Sequence, residues 1–358
     1  MSSPLTLSLS LQRPTHEYEI LIGSGLLQEL STRTQFLDPS SVLFISDSNV
    51  APLYLDDLHS QSWEVECSSL VLPAGEQSKS WPNLQVILDH LLEMKMDRRG
   101  IVVGLGGGVI GDISALAASI YLRGIPVVHA PTTLLAQVDS AIGGKTAINH
   151  PLGKNLIGTF HQPSLVLSDT DTLRTLPHRQ MAAGMAELLK AALIADTELT
   201  ATLEGCLGEC LEGGLDLSPL IARACEIKAK IVMEDEHESG KRKFLNFGHT
   251  IAHALEASTP AGKLLHGEAV IHGMRGATIL SHRLGLLDLS SQQRILGLLE
   301  VFPSHSISQW VDEKRFWDAL LRDKKIAHGH LDLVLLRAIG SPALESVSDP
   351  IQWIAIPD

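Results

Sequence analysis

The sequence predicts an α/β domain with a parallel sheet, followed by a mostly α-helical domain. In the first half, short apolar runs alternate with helical stretches, whereas from Gln180 to about Asp323 almost every segment has helical spacing. Alternation of strand and helix is typical of a parallel sheet with helices on both faces. We place the boundary near residues 175–180, which gives an N-terminal domain of residues 1–178 and a C-terminal domain of residues 179–358. A cleft between two such domains is a common place for a site.

Apolar runs of three to seven residues predict the individual strands, and longer runs with an apolar stripe predict the helices. The predicted strands of the first half are 5–11 (at an edge), 41–46, 70–72, 101–104, 126–130 and 165–168, with helices at 81–96 and 109–122. The second half has predicted helices at 181–194, 199–211, 220–233, 249–257, 268–284 and 292–299, and strands at 331–336 and 351–356.

The composition excludes several classes of protein. A net charge of −13, from 28 Lys and Arg against 41 Asp and Glu, lacks the basic excess of a nucleic-acid binder. The sequence contains no run of about 18 apolar residues, the length needed to span a membrane. The N-terminus has no basic residue before Arg13, unlike a signal peptide, so we expect a cytoplasmic protein. The four cysteines are too few for a disulfide scaffold. Cys206 and Cys210 could chelate a metal, but without a third nearby ligand we interpret them as core residues.

A glycine motif suggests a dinucleotide. The apolar run 101–105 is followed by Gly106-Gly-Gly-Val-Ile-Gly111, which fits G-x-G-x-x-G between a strand and a helix. Free amides and the dipole at such a helix N-terminus attract a pyrophosphate. The acidic residue usually found about twenty positions later, for the ribose, is missing. Asp47, after an earlier strand, could replace it. The motif favours a Rossmann-like nucleotide domain that differs from the ordinary dehydrogenase form, although a glycine turn needed only for packing stays open.

A second glycine-rich region favours a pocket for anionic oxygens. The segments 139–145 and 152–158 place Lys145, Lys154 and Asn155 among glycines. Glycine lets the backbone approach a ligand closely, and each ammonium supplies three donors. This region and the glycine cluster before it lie within about fifty residues of each other, and two such regions are hard to explain as ordinary surface loops.

A candidate metal site comes from three histidines and a glutamate. His249 and His253 are four residues apart, so they share one helical face, and His266 begins a further helical run. Glu187 could add a carboxylate. Two histidines and one carboxylate with an open position are typical of catalytic zinc. The spacing leaves open which of His249 and His253 is a ligand, and any single histidine among sixteen could be structural.

Several basic residues lie near these motifs in the sequence. Each alone would by default be a solvated surface charge, and only Lys190, one helical turn from Glu187, is placed to face the same pocket as a metal ligand. The basic positions are Arg123, Lys145, Lys154, Lys190, Lys228, Arg242 and the pair Lys324 and Lys325.

The chain resembles the 3-dehydroquinate synthase family of the sugar phosphate cyclases. The matching runs cover nearly the whole chain in order, which makes the resemblance specific. They are 75–79, 105–112, 131–139, 143–146, 149–155, 183–187, 245–250, 266–270 and 323–325.

The resemblance implies an NAD-dependent lyase of the shikimate pathway that also needs a divalent metal, zinc or cobalt. Its substrate would be a small anionic sugar phosphate, 3-deoxy-D-arabino-heptulosonate 7-phosphate, which becomes 3-dehydroquinate with release of phosphate. The implied sequence is transient oxidation, phosphate elimination, re-reduction, ring opening and an intramolecular aldol closure. NAD would be regenerated in each turnover.

The resemblance also assigns residues. The metal ligands would be Glu187, His249 and His266. The NAD contacts would be Asp47, Gly75, Glu76, Gln77, Ser78, Lys79, Gly108, Val109, Ile110, Gly111, Asp112, Thr132, Thr133, Lys145, Lys154, Thr172, Leu173, Arg174 and Thr175. The substrate would meet Asp139, Lys145, Asn155, Lys190, Lys228, Arg242, Asn246, His253 and Lys324 or Lys325, of which we choose Lys324. Arg123 would reach the site of a neighbouring subunit, which implies a homodimer.

Three alternatives remain at this level. A sibling sugar phosphate cyclase would share the first oxidation but form a different ring. A metal-dependent polyol dehydrogenase would accumulate NADH and would not need the phosphate-binding lysines. A non-catalytic relative would be expected to lack a ligand or a lysine, and none is missing here.

Overall fold

The computed structural model describes residues 16–260, 262–303, 307–322, 330–348 and 354. The predicted strand at 5–11, most of the one at 351–356, and both Lys324 and Lys325 lie outside these residues. In the described part, no helix is both long and apolar enough to cross a membrane.

The N-terminal half alternates strands and helices as predicted. Its strands are β1 (Glu19–Gly23), β2 (Ser41–Asp47), β3 (Glu66–Leu72), β4 (Ile101–Gly106), β5 (Val127–Pro131), β6 (Ile148–His150), β7 (Gly153–Ile157) and β8 (Leu165–Asp169). Its helices are α1 (Leu30–Arg33), α2 (Ala51–His59), α3 (Trp81–Glu93) and α4 (Gly108–Ile120).

Six of these strands form one parallel sheet in the order β1-β8-β5-β4-β2-β3, which confirms the predicted Rossmann-like α/β class. The central strands β4 and β5 are buried along their whole length, as expected for a sheet covered on both faces. Separate apolar clusters pack on the two faces, one around Ile87 and Ile113 and the other around Phe44 and Leu58.

The carboxyl ends of the parallel strands lie along one edge of the sheet. Gly106 at the end of β4 pairs with Pro131 at the end of β5, and Asp47 at the end of β2 pairs with Leu72 at the end of β3. The crevice beyond this edge is where open α/β sheets bind ligands. The α4 N-terminus, at Gly108, opens toward the same edge.

The second half is mostly helical, as predicted. Its helices are α5 (His178–Ala195), α6 (Thr197–Glu212), α7 (Ser218–Glu234), α8 (His249–Ser258), α9 (His266–Arg283), α10 (Leu289–Glu300) and α11 (Glu313–Arg322). The antiparallel strands β9 (His330–Ala338) and β10 (Ser341–Ser348) follow. One large apolar core joins these elements, and α5 lies at its centre, buried from Met181 to Ile194.

Some element bounds differ from prediction for local backbone reasons. The helix predicted to reach residue 96 ends at Glu93, because Lys95 adopts a left-handed conformation with φ of 53°. The helix predicted to reach residue 122 ends at Ile120, because Leu122 and Arg123 are also left-handed. The elements β1, β6, β7, β10, α1, α2 and α11 were not predicted. The four strands among them are short or half-exposed.

Close backbone contacts bring α5, α8 and α9 together. A Cβ on Gly273 of α9 would lie 2.0 Å from the carbonyl oxygen of Gly248, and a Cβ on Gly267 would lie 2.2 Å from that of Ala183 on α5. No other residue type allows such a separation. These glycines therefore determine how closely α9 approaches the start of α8 on one side and α5 on the other.

The loop between α7 and α8 is held by one carboxylate. Asp235 accepts hydrogen bonds from the backbone amides of Ser239 (2.9 Å), Gly240 (2.6 Å) and Arg242 (3.0 Å). Burial alone would raise the pKa of Asp235, but these backbone hydrogen bonds outweigh it and lower the pKa to about 2. The carboxylate thus shapes the turn that carries Glu238 and Arg242.

We expect Gly273→Ala to destabilise the protein by about 1–3 kcal/mol or more, because overpacking would push α9 away from α8. Gly205→Ala is the matched control, since a Cβ at this position of α6 meets nothing within 4 Å. It should stabilise by about 0.5–1 kcal/mol. Urea unfolding of both variants measures the difference. Equal stability of the two variants would contradict the close-contact argument.

We expect the contribution of Asp235 to the free energy of unfolding to decrease as the pH is lowered. Its folded-state pKa of about 2 lies below the ordinary value of 3.8, so its contribution is present above about pH 4 and is lost as the pH falls toward 2. Asp235→Asn should therefore be less stable than wild type at pH 7, with the gap narrowing at pH 3. Urea unfolding at both pH values tests this, and a gap that does not change with pH would count against it.

Candidate metal and substrate site

Three side chains from three helices converge on one point. Glu187 comes from α5, His249 is the first residue of α8 and His266 is the first residue of α9. Glu187 Oε1 lies 3.5 Å from His249 Nε2 and 3.3 Å from His266 Nε2, and the ligand atoms of all three lie within 4.8 Å of one another. This group could hold a metal ion. The structure thus brings His249 into the group, a choice that the spacing had left open.

The carboxylate of Glu187 fits a cation better than it fits its protein surroundings. It is 2% exposed, and neither of its oxygens accepts a well-directed hydrogen bond within the described part of the chain. Lys190 Nζ lies 2.5 Å from Oε2, and the two imidazoles face Oε1. One carboxylate oxygen with two imidazole nitrogens facing it is a donor set typical of zinc.

Both histidines present the same ring nitrogen to this point. His249 Nδ1 lies 3.2 Å from the backbone oxygen of Phe247, and His266 Nδ1 lies 3.4 Å from Glu256 Oε2. When Nδ1 donates to such an acceptor, Nε2 keeps its lone pair free. The two Nε2 atoms are therefore available as ligands.

The charges at this point are unevenly distributed. Burial would raise the pKa of Glu187, but Lys190, His249 and His266 together outweigh burial and hold the pKa well below its usual range. Burial and the charge of Lys190 lower the pKa of His249 to about 3. Burial would also lower the pKa of His266, but its contacts with Glu187 and Glu256 raise it to about 10. Without a metal, His266 would carry the proton, and a divalent ion would replace that charge.

Asp139 and the buried Lys228 form an ion pair beside this point. Asp139 belongs to a π-helical segment (Ala136–Ser140) after β5, a type of distortion often found at functional sites. Lys228 Nζ on α7 contacts the Asp139 carboxylate and lies 2.5 Å from its backbone oxygen. Burial would raise the pKa of Asp139, but Lys228 and Lys190 lower it to about 2.

Two contacts and one electrostatic interaction connect the glycine turn to the metal-ligand group. A Cβ on Gly108, at the start of α4, would lie 2.9 Å from Ser140 Oγ, so the turn touches the π-helical segment. The next residue back, Asp139, interacts electrostatically with Lys190, and Lys190 contacts Glu187. The glycine motif and the three possible ligands therefore belong to one region.

A second group of polar side chains surrounds the loop after α7. Glu238 contacts Lys145 and accepts a hydrogen bond from Asn246 Nδ2 at 2.5 Å. Arg242 is 2% exposed, and its guanidinium donates to the backbone oxygens of Gly143 (2.9 Å) and Glu236 (2.5 Å). Lys145, Arg242 and Asn246, which were predicted as substrate contacts, therefore lie together.

The β6–β7 hairpin joins the two glycine regions. Lys79 Nζ lies 2.5 Å from both Asp112 Oδ2 on α4 and Asn155 Oδ1 on β7. Asn149 Nδ2 donates to Glu76 Oε1 at 2.7 Å. The predicted cofactor loop 75–79, the start of α4 and the hairpin are thus held together by polar contacts.

The remaining predicted cofactor residues follow the carboxyl edge of the sheet. Asp47 Oδ1 accepts from the amides of Asn49 (2.9 Å) and Val50 (3.2 Å), so this oxygen shapes the turn after β2. The others lie beyond β3, β4, β5 and β8. They are Gly75, Gln77, Ser78, Val109, Ile110, Gly111, Thr132, Thr133, Thr172, Leu173, Arg174 and Thr175.

The remaining predicted site residues are Arg123, Lys154 and His253. Arg123 is exposed on the turn after α4, whereas the three possible metal ligands lie on α5, α8 and α9. Lys154 Nζ lies 3.0 Å from Glu256 Oε1, so in this structure it faces α8. His253 shares the α8 face with His249. Its ring is stacked on that of His266, with 6.3 Å between the ring centroids.

Glu238 and Glu256 were not predicted. Glu256 follows His253 by three residues on α8, so helical spacing could have found it. Glu238 lies in an acidic stretch with no motif and meets Lys145 across 93 residues of sequence, so no local signal indicates it.

Sequence comparison matches both halves of the chain to one family. The N-terminal family description of 3-dehydroquinate synthase matches residues 69–183, and the C-terminal one matches residues 184–326. A curated 3-dehydroquinate synthase from Nitrosococcus oceani is 47% identical over 339 residues, with 94% of each chain covered.

Two solved structures share the fold at lower identity. A 2-deoxy-scyllo-inosose synthase, complexed with carbaglucose-6-phosphate, NAD+ and Co2+, has a TM-score of 0.85 and 26% identity, with 94% of this chain and 95% of that chain covered. The 2-epi-5-epi-valiolone synthase of Streptomyces hygroscopicus subsp. jinggangensis, with NAD+ and Zn2+ bound, has a TM-score of 0.86 and 29% identity, with 97% of both chains covered. On the family match and the curated relative, the chain belongs to the 3-dehydroquinate synthase family.

Proposed function

We propose that this chain converts 3-deoxy-D-arabino-heptulosonate 7-phosphate to 3-dehydroquinate and phosphate, with bound NAD and a divalent metal. Family membership supports the reaction. The observation that supports the site is the contact of the Gly108 turn with the segment of Asp139, together with the electrostatic interaction of Asp139 with Lys190 and the ion pair of Lys190 with Glu187. A nucleotide bound at the sheet edge and a metal held by α5, α8 and α9 would face one substrate.

The proposed metal ligands are Glu187, His249 and His266. Their ligand atoms converge, and three protein ligands leave a position for substrate oxygens. The solved relatives with Co2+ or Zn2+ bound support the same type of ion here. When bound, NAD would accept and return a hydride in each turnover, and the divalent ion would polarise the substrate hydroxyls that it contacts.

The NAD pyrophosphate is proposed to lie at the N-terminus of α4, where the amides of residues 108–110 have no helical partners. The loop 75–79 and the turn 172–175 would flank it on the same sheet edge. Lys79 and Asp112 already form an ion pair there, so they would shape the cradle, while Asp47, at the end of β2 on the same edge, would meet the ribose.

The substrate is proposed to lie between this cradle and the metal ligands. Lys145, Asn155, Arg242 and His253 would surround the phosphate, balance its charge and hold it in place as it leaves. Lys190, Lys228 and Asp139 would bind the hydroxyl and carboxylate end. The Glu238 carboxylate contacts Lys145 and accepts a hydrogen bond from Asn246, so the substrate phosphate would compete with this carboxylate for the lysine.

We also propose a homodimer, two domains divided near residue 178, and a cytoplasmic location. The exposed, left-handed turn that presents Arg123 supports a role for this side chain at a neighbouring subunit. All four cysteines are free thiols, which is typical of a reducing compartment.

Purified protein should release phosphate from the heptulosonate phosphate with only catalytic NAD and should not accumulate NADH. Chelator should abolish release, and zinc should restore it in wild type but not in His249→Ala. A coupled phosphate assay with absorbance at the NADH band measures both products. Stoichiometric NADH would instead indicate a polyol dehydrogenase. Turnover of a different sugar phosphate in a substrate panel would indicate a sibling cyclase.

Lys145→Ala should lower kcat by about 100-fold or more, because a charged group facing the departing phosphate is removed. NAD affinity, measured by fluorescence titration, should change far less. Lys230→Ala is the matched control, since this exposed lysine pairs with Glu226 on the outside of α7. Normal turnover in Lys145→Ala would make this lysine a bystander.

A further inference from the structure

We propose that Glu256 is a positioning residue that orients His266 for the metal and connects this ligand to the β6–β7 hairpin. This inference rests on the proposed metal site. Glu256 lies on α8, is mostly buried, and is used by no step described above.

The orientation of His266 depends on two opposed contacts. On one side, its Nε2 lies 3.3 Å from Glu187 Oε1, toward the metal position. On the other side, its Nδ1 lies 3.4 Å from Glu256 Oε2. A carboxylate that accepts from Nδ1–H leaves the lone pair on Nε2 and makes that nitrogen a better ligand.

The two histidine ligands are held by different kinds of acceptor. His249 Nδ1 faces the backbone oxygen of Phe247, which no substitution removes. The His249 side chain is also 10% exposed, against 31% for His266. His266 therefore has more room to turn, and the group that restrains it is a replaceable side chain.

The second oxygen of Glu256 faces the other half of the molecule. Its Oε1 lies 3.0 Å from Lys154 Nζ on β7. The neighbouring residue Asn155 meets Lys79 at 2.5 Å, and Lys79 meets Asp112 at the start of α4. One carboxylate thus contacts a metal ligand and the hairpin that touches the proposed cofactor cradle.

The test compares cobalt binding by wild type, Glu256→Ala and Glu256→Gln. Chelator competition gives the dissociation constant, and the visible absorption of bound Co2+ reports the ligand geometry. We expect the dissociation constant to rise by about 10–100-fold in Glu256→Ala, as for other residues behind metal ligands. Glu256→Gln keeps the size and one acceptor but loses the charge, so its rise should be smaller, with an altered cobalt spectrum.

Glu204→Gln is the matched control. Glu204 is also a helical carboxylate paired with a basic residue, Arg294, but it links α6 to α10 away from the ligands. It should bind cobalt as wild type does, with an unchanged spectrum.

Two results would overturn the proposal in different ways. Wild-type cobalt affinity, within about twofold, and a wild-type spectrum in Glu256→Gln and in any folded Glu256→Ala would reject the role of Glu256 alone. The isosteric Gln variant decides the matter if the Ala variant does not fold. Failure of wild type to bind cobalt would instead reject the metal site on which the inference rests.

Discussion

The buried carboxylate of Glu187 is the constraint on which the rest of the site depends. An ionised carboxylate away from water is costly unless opposite charges and hydrogen-bond donors surround it. Here the compensation comes from three helices: Lys190 one turn along α5, and the imidazoles at the starts of α8 and α9. Glycines at the helix contacts allow the backbones to approach closely enough for that. The close packing of α5, α8 and α9 is therefore also what compensates the charge of Glu187.

The two halves of the chain meet through polar contacts as well as apolar ones. The π-helical segment after β5 carries Asp139 against Lys228 of α7, while the hairpin carries Lys154 against Glu256 of α8. Both connections start at the carboxyl edge of the sheet and end beside a possible metal ligand. A reaction that moves a hydride between a nucleotide and a metal-bound sugar needs this proximity, because its reacting atoms must be held within contact distance.

Much of the fold could be predicted from local pattern. Continuous apolar runs predicted the buried strands, and an apolar stripe predicted helices such as α5. The pairs that make the site were harder. Spacing placed His249 and His253 on one face but could not choose between them, because the choice depends on where α5 brings Glu187. Glu238 and Lys145 are 93 residues apart, and their contact exists only after the loop held by Asp235 has formed.

The position of β1 has a consequence for folding. This first strand lies at the sheet edge beside β8, and the turn after it is held by Asp169, whose carboxylate accepts from the amide of Gly25 across 144 residues of sequence. Contacts of such high sequence separation slow folding, because a long loop must close first. During synthesis the nascent N-terminal segment cannot dock until β8 has left the ribosome, so the sheet is completed late and its exposed edge needs protection until then.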